Sequence, residues 1–462
     1  MAKSKNSPEE TSQTSTSADL LAPHSEEKTP ADLNRRNEGP VDSTDDLGPL
    51  DTFADAHSPA SPADEPENAE SEASGLAETS IEADSSAAES VEMFDSENAD
   101  AQNPQQVTLE FLQQLPKAEL HCHLDGSVRV ETVLDLAEKQ KITLPANDAE
   151  ALRRVLVVGE DCRSLEDYLK AFEITLSVMQ DAESLERIAY ELVQDAAAEN
   201  IRYLEVRYSP ILHTRRGLRL THIVDAVNDG LKRGERDFNV VTGVIICGMR
   251  NINPDISYHL AELAVAYKNR GVVAFDLAGA ETDYPAKKHR EAFALILRNN
   301  INCTLHAGES YGPESIHQAL HYCGAHRIGH GTRLKEDGDL LNYVNDHRIP
   351  LEICLTSNVQ TRAAKSFSDH PLRFYYDYGL RTTINTDNRL MSDTTVSREL
   401  YRAHLHLGFA MDELVDLIIF GFKSAFLPYR TKVKMLGRVY DELRSKNLTA
   451  RTQRICDAED RL

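Results

Sequence analysis

Residues 240–278 read VVTGVIICGMRNINPDISYHLAELAVAYKNRGVVAFDLA. Two short runs rich in β-branched and apolar residues, 240–247 and 272–278, flank a stretch, 258–270, whose apolar residues recur with the period of a helix. Strand, helix, strand is the repeating unit of a parallel sheet, because parallel neighbours require a crossover connection. Working outward, the same texture begins near Val107 and continues through residue 387. Strands are predicted over 117–124, 202–208, 240–247, 272–278, 302–307, 326–331, 350–356 and 381–387, with helix-period stretches such as 183–200 between them. Eight strands alternating with helices predict an α/β fold, a (β/α)8 TIM barrel, over residues 105–462.

The spacing of polar residues at the strand ends locates an insertion. Asp276, His306, His330, Ser357 and Asp387 follow one another at intervals of 24 to 30 residues, whereas His123 and Glu205 are 82 apart. The excess lies in the first βα connection. Extra helices there rim the mouth of a barrel and can act as a lid.

The chain has 462 residues and a formal charge of −25. Residues 1–104 hold 5 of the 50 basic and 25 of the 75 acidic residues, and Phe53 and Phe94 are their only aromatics. The acidity therefore belongs to an N-terminal segment that cannot bury enough apolar area to offset its ordering entropy, and a disordered acidic tail is expected there. A solvated tail is favoured over a docking arm. The near-neutral remainder excludes a basic nucleic-acid surface, and no apolar run reaches the ~18 residues of a membrane span. The seven Cys (122, 162, 247, 303, 323, 354 and 456) are odd in number, and several sit in apolar runs. Buried free thiols in a reducing compartment follow. The first residues, MAKSKNSPEETSQ, lack an apolar signal core, so a cytoplasmic location is expected.

The chemistry concentrates at predicted strand ends. In ELHCHLDGS, His121 and His123 are two apart, so a strand places both imidazoles on one face. Two inward histidines make a poor apolar core and a good pair of metal ligands. His306 in TLHAGE, His330 in RIGHG and Asp387 in TINTDN end further strands, and Glu309 follows His306 by three. All strand C-termini of a barrel meet at one mouth. Three His and an Asp converging there suit one divalent ion with N and O ligands, and zinc fits best.

The segments KAELHCHLDGS, SLEDYLKAF, YLEVRYSP, VVAFDLAGAE, TLHAGE, RIGHGTRL, LEICLTSN and TINTDN, in this order across almost all of 115–390, resemble those of the adenosine deaminases, within the wider family of adenosine and AMP deaminases. The resemblance implies a barrel with one catalytic zinc. It implies hydrolytic removal of the 6-amino group of adenosine or 2′-deoxyadenosine, in purine salvage, giving inosine or deoxyinosine and ammonia. It implies zinc ligands at His121, His123, His306 and Asp387. Glu309 would protonate purine N1, and His330 would stand beside the attacking hydroxide. Asp125 would accept from a ribose hydroxyl, His123 would border the substrate, and the Gly279 main-chain N–H would meet purine N3. Asn388 stands where many members carry an Asp that bonds N7. N7 is an acceptor, and an Asn amide donates at any pH, so the bond stays chemically available. Leu165, Tyr168, Leu169 and Phe172 share one helix face. Such a face serves ordinary packing, and the resemblance makes it an apolar lid over the purine.

The implied partner is a small purine nucleoside, with neither nucleic acid nor membrane. Adenine, AMP or a modified adenosine are alternative substrates. AMP would call for clustered basic side chains, which leaves Arg207 and the pair Arg215 and Arg216 to be placed. A two-metal amidohydrolase would want a Lys at the strand that here ends FDLAG. A non-catalytic relative would have lost a ligand or the acid. The small zinc deaminases marked by P-C-x-x-C are excluded, since that motif is absent.

Overall fold

The structure is a computed structural model that describes residues 106–159 and 165–453, the first six of the latter by main chain only. The expected acidic tail and Cys162 and Cys456 lie outside the described residues. The other five cysteines are free and buried.

Eight strands form a single ring in chain order: β1 (Lys117–His123), β2 (Ile201–Tyr208), β3 (Val241–Met249), β4 (Val272–Ala278), β5 (Asn302–Ala307), β6 (Arg327–His330), β7 (Leu351–Ile353) and β8 (Thr382–Ile384). Each pairs with the next in parallel. The ring closes between β8 and β1, where the His123 N–H donates to Asp387 O at 2.7 Å and the Asp387 N–H to His121 O at 2.9 Å. Side chains extend that seam. Asn385 Oδ1 accepts from the Leu120 N–H at 2.9 Å, and Glu119 accepts from the Thr386 N–H at 3.0 Å. This is the (β/α)8 barrel expected from the sequence.

The amphipathic pattern also resolves as expected. The helix Ala182–Ala198 is capped by Asp181, whose carboxylate accepts from the Ser184 N–H at 2.9 Å. It buries Leu185, Ile188, Ala189, Leu192, Val193 and Ala196, one stripe at helical spacing. Among the described residues it is the last of four helices between β1 and β2, after Val130–Gln140, Ala149–Leu156 and Leu165–Val178, so the insertion is where the spacing put it.

The last two strands are shorter than the sequence pattern suggests. After Ile353 the chain turns into the helix Leu355–Gln360, so Ser357 sits on a helix rather than a strand end. The Thr356 N–H there donates to Glu399 at 3.0 Å instead of to a ladder. Past Ile384 the polar groups of Asn385 and Thr386 are bound by β1, and Asp387 leaves the extended region at φ 62°.

The barrel interior holds charges where many barrels stack branched apolar residues. Glu205, Arg207, Asp276, Arg327 and Glu352 are all essentially inaccessible. Arg207 bridges Asp276 at 2.9 Å and Glu352 at 2.8 Å. Arg327 bonds Glu352 at 2.6 Å and pairs with Glu205. Burial raises the Glu352 carboxyl, but Arg207 and Arg327 outweigh it and hold it well below the ordinary carboxylate range. Buried ion networks add little net stability, so the use of this one is to be sought in what it orients.

Candidate active site

At the C-terminal mouth of the barrel, single ligand atoms of His121, His123, His306 and Asp387 lie within 4.8 Å of one another. The Nε2 atoms of His121 and His123 are each 3.1 Å from Nε2 of His306. Asp387 Oδ1 is 3.4 Å from both His121 and His123 Nε2. The proton positions follow from the layer beneath. His121 Nδ1 donates to Glu352 at 2.9 Å, and His306 Nδ1 donates to Asp276 at 3.0 Å. With Nδ1 as the donor to the layer beneath, Nε2 of each ring is the nitrogen turned toward the other ligands, where a cation would take its lone pair. Four N and O donors at ~2.0–2.2 Å around a tetrahedral ion stand about 3.3–3.6 Å apart, close to the spacings found. The donor set fits a divalent ion such as zinc, with the carboxylate–histidine support usual for one. Among the described residues this is the one such cluster.

A cavity opens beside it. Phe172, Leu176, Leu212 and Met249 supply an apolar wall, and Asp125, Glu309 and Asn388 supply polar groups. Of the expected lid face, Phe172 reaches the cavity. The side chains of Leu165, Tyr168 and Leu169 lie outside the described residues.

Glu309 follows β5 and is 8% exposed. Thr361 Oγ1 donates to its Oε1 at 2.9 Å, and its Oε2 is 3.5 Å from His330 Nε2. Burial, with Asp387 and Glu281 nearby, pushes the Glu309 carboxyl up to about 8. At neutral pH it holds its proton and can act as an acid. Burial, helped by His121, pushes the His330 imidazole well below its usual range, so that ring is neutral. His330 and Asp387 both have left-handed backbones, φ 62° each. Such conformations persist where the surroundings over-determine them.

Asp125, after β1, is buried, and its Oδ1 has no partner among the described residues. Burial pushes its carboxyl up to about 7. A Cβ on the following Gly126 would stand 1.8 Å from Asn388 Oδ1, so only glycine lets Asn388 sit against that main chain. Gly279 lines the cavity at φ 94°, a conformation that favours glycine. The four candidate ligands, Asp125, Gly279, Glu309, His330 and Asn388 thus all lie at this mouth.

The sequence reading assigned no role to the residues that hold these groups. One short helix, Leu355–Gln360, and the residue after it serve three of them. Ser357 Oγ donates to Asp387 Oδ2 at 2.6 Å, Asn358 Nδ2 lies 3.0 Å from His330 Nδ1, and Thr361 bonds Glu309. The signal was a polar i, i+1, i+4 set just past an apolar strand. Glu352, which the sequence reading missed, and Asp276, which it named only as a polar strand end, accept from the histidine Nδ1 atoms. Arg207 belongs to their interior network and is inaccessible. Arg215 pairs with Glu173 at 2.9 Å, and Arg216 donates to Gln140 at 2.8 Å. None of the three is a free phosphate ligand. Among the described residues, no helix is long and apolar enough to cross a membrane.

Comparison with known proteins agrees with this geometry. The family model described as adenosine deaminase matches residues 116–442. A probable adenosine deaminase of Dictyostelium discoideum is 42% identical over 334 residues, covering 72% of this chain, and the chain spans 43% of that protein's length. The adenosine deaminase of Mycobacterium avium is 42% identical over 352 residues, covering 72% of this chain and 96% of the relative. Among solved structures, an adenine deaminase from Arthrobacter aurescens superposes with a TM-score of 0.67 at 28% identity, covering 71% of this chain and 99% of the other. The N6-methyl-AMP deaminase of Arabidopsis thaliana superposes at 0.65 with 27% identity, covering 73% and 100%. The barrel, the ligand cluster at its mouth and the match over residues 116–442 together place this chain in the adenosine deaminase family, as a hydrolase of the adenosine deaminase type.

Proposed function

We propose that the enzyme hydrolyses adenosine and 2′-deoxyadenosine to inosine and deoxyinosine with release of ammonia, as a step of purine salvage, using one zinc ion held by His121, His123, His306 and Asp387. The observation that carries this reading is the buried Glu309, its carboxyl pushed up to about 8, lining the same cavity as His123, His306 and Asp387. Zinc, when bound, lowers the pKa of a coordinated water toward ~7 and so supplies a nucleophile near neutral pH.

The chain's residues do the rest. C6 of adenine is a weak electrophile because the ring is aromatic. Glu309 donates its proton to N1, which draws electron density from C6 as the water oxygen attacks. General acid catalysis of this kind is worth roughly 10²–10⁴-fold. Asp387 and His330 take or orient the water's proton. C6 becomes tetrahedral, its amino group takes up a proton, the C–N bond breaks, and ammonia leaves. Gly279 presents its N–H to N3, Asn388 donates to N7, and His123 borders the substrate. Asp125, with an unpartnered oxygen in a buried setting, accepts from a ribose hydroxyl. Phe172 and the apolar wall exclude water and strengthen these interactions.

A second reading is an adenine or AMP-type substrate, as the names of the structural neighbours suggest. Two observations favour the nucleoside. Asp125 keeps a buried oxygen without a partner among the described residues, which a ribose hydroxyl would meet and a free base would leave unused. No Lys or Arg is among the described residues that line the cavity, and the nearby Arg215 is paired with Glu173, so a phosphate would meet no basic side chain there. Ultraviolet monitoring of purified enzyme with adenosine, deoxyadenosine, adenine, AMP and N6-methyl-AMP tests this. Adenosine and deoxyadenosine are expected to have the highest kcat/KM, and a preference for AMP or adenine would overturn the proposal.

A further inference from the structure

His330 is buried at the mouth, and the direction of its hydrogen bonds can be deduced from a chain that ends on the main chain. The Leu372 N–H can only donate, and it meets His370 Nδ1 at 3.1 Å. Nδ1 of His370 is therefore an acceptor. Burial pushes this imidazole down to about 3, so the ring is neutral and its one hydrogen sits on Nε2. That nitrogen is 3.1 Å from Asn358 Oδ1, which accepts. With the carbonyl end of the amide so fixed, the Asn358 nitrogen faces His330 Nδ1 at 3.0 Å and donates. His330 Nδ1 must then accept and bears no hydrogen, so the ring's hydrogen belongs on Nε2, the nitrogen 3.5 Å from Glu309 Oε2.

We propose that Asn358 and His370 are positioning residues that fix the tautomer of His330, so that its Nε2 enters the reaction as a hydrogen-bond donor and not as the base that removes the water's proton. The inference rests on the deaminase reading for its consequence, though not for its geometry. Both residues are buried, and neither lines the cavity. Asn358 shares its helix with Ser357, which holds Asp387. With its Nε2 already carrying hydrogen and its Nδ1 occupied by the amide, His330 has no lone pair free to take the water's proton, and its task narrows to aiming the oxygen.

The test is 15N NMR of the zinc-loaded full chain labelled at the histidine ring nitrogens, with the His330 signals assigned by their loss in His330→Gln. Wild type is expected to show hydrogen on Nε2 of His330 and a bare Nδ1. Asn358→Asp places a carboxylate that can only accept opposite Nδ1, so the hydrogen is expected to move to Nδ1. Its kcat for adenosine is expected to fall roughly 10–100-fold, the usual effect of an outer-layer partner, with KM little changed. His370→Gln, which keeps a donor toward Asn358 and an acceptor for Leu372, is expected to retain the wild-type tautomer and rate. A wild-type ring with hydrogen on Nδ1, or on both nitrogens, overturns the proposal. So does an Asn358→Asp ring that keeps its hydrogen on Nε2. The wild-type spectrum decides even where a variant fails to fold. A correct tautomer with no turnover of adenosine would sink the substrate assignment and leave the relay standing.

Discussion

Glu309 and Asn388 occupy the same cavity and differ in what they can do to a purine. A carboxyl held up to about 8 is protonated at pH 7, whereas a solvent-exposed glutamate would already have lost its proton there. The active form is the protonated one, so kcat/KM is expected to fall as pH rises through about 8. In Glu309→Gln that alkaline limb should vanish along with most of the rate, roughly 10²–10⁴-fold, because an amide donates a hydrogen bond but cannot transfer its proton. A pH–rate profile of both proteins checks this. Under the proposed roles Asn388 only holds N7. Asn388→Ala should cost about 1–3 kcal/mol in kcat/KM, the usual range for a lost buried partner. Asn388→Asp should be milder, with an effect that varies with pH as the new carboxyl titrates. Steady-state kinetics on the two variants would show the ranking. These residues were legible in the sequence because each lies within four residues of a strand end. Glu352 and Asp276 were not assigned roles, because their partners are far away along the chain: His121 is 231 residues from Glu352, and His306 is 30 from Asp276.

At the scale of elements, the short helix Leu355–Gln360 is the part of the site that periodicity misread. The apolar run from residue 350 continues through Leu355, and nothing local marks where extended backbone gives way to helix. The turn depends on Glu399, 43 residues away, which accepts from the Thr356 N–H. The helix carries Ser357 and Asn358 and delivers Thr361, so it touches Asp387, His330 and Glu309 at once. Ser357→Ala should leave the fold intact and loosen Asp387. Zinc affinity is then expected to drop roughly 10–100-fold, as read by competition with a chelator; unchanged affinity would mean that Asp387 is held by other contacts. The barrel interior shows the same limit of local reading. In RYLEVRY the alternation of Tyr203, Glu205 and Arg207 with Leu204 and Val206 does reveal a strand with a polar inward face. What each charge meets there depends on strands elsewhere in the ring.

For the whole molecule, the sequence showed the architecture well because a barrel repeats one unit. Eight similar strand–helix units and one long connection between β1 and β2 are enough to close a ring, whatever the exact end of each strand. The described elements begin at Leu109, after the acidic segment. A segment of that composition contributes little to a packed core. Deleting residues 1–104 is therefore expected to leave circular dichroism, thermal midpoint and specific activity close to those of the full chain. A large loss of soluble, active protein would show that the segment packs on the barrel.

The account stands or falls on the four-ligand site, and the most direct measurement is adenosine turnover across a titration of zinc into chelator-stripped enzyme. Activity is expected to start near zero, rise linearly and level off at one equivalent per chain, with no recovery in His306→Ala. Full turnover in the stripped protein, or a plateau reached only at two equivalents, would contradict a single ion held by His121, His123, His306 and Asp387.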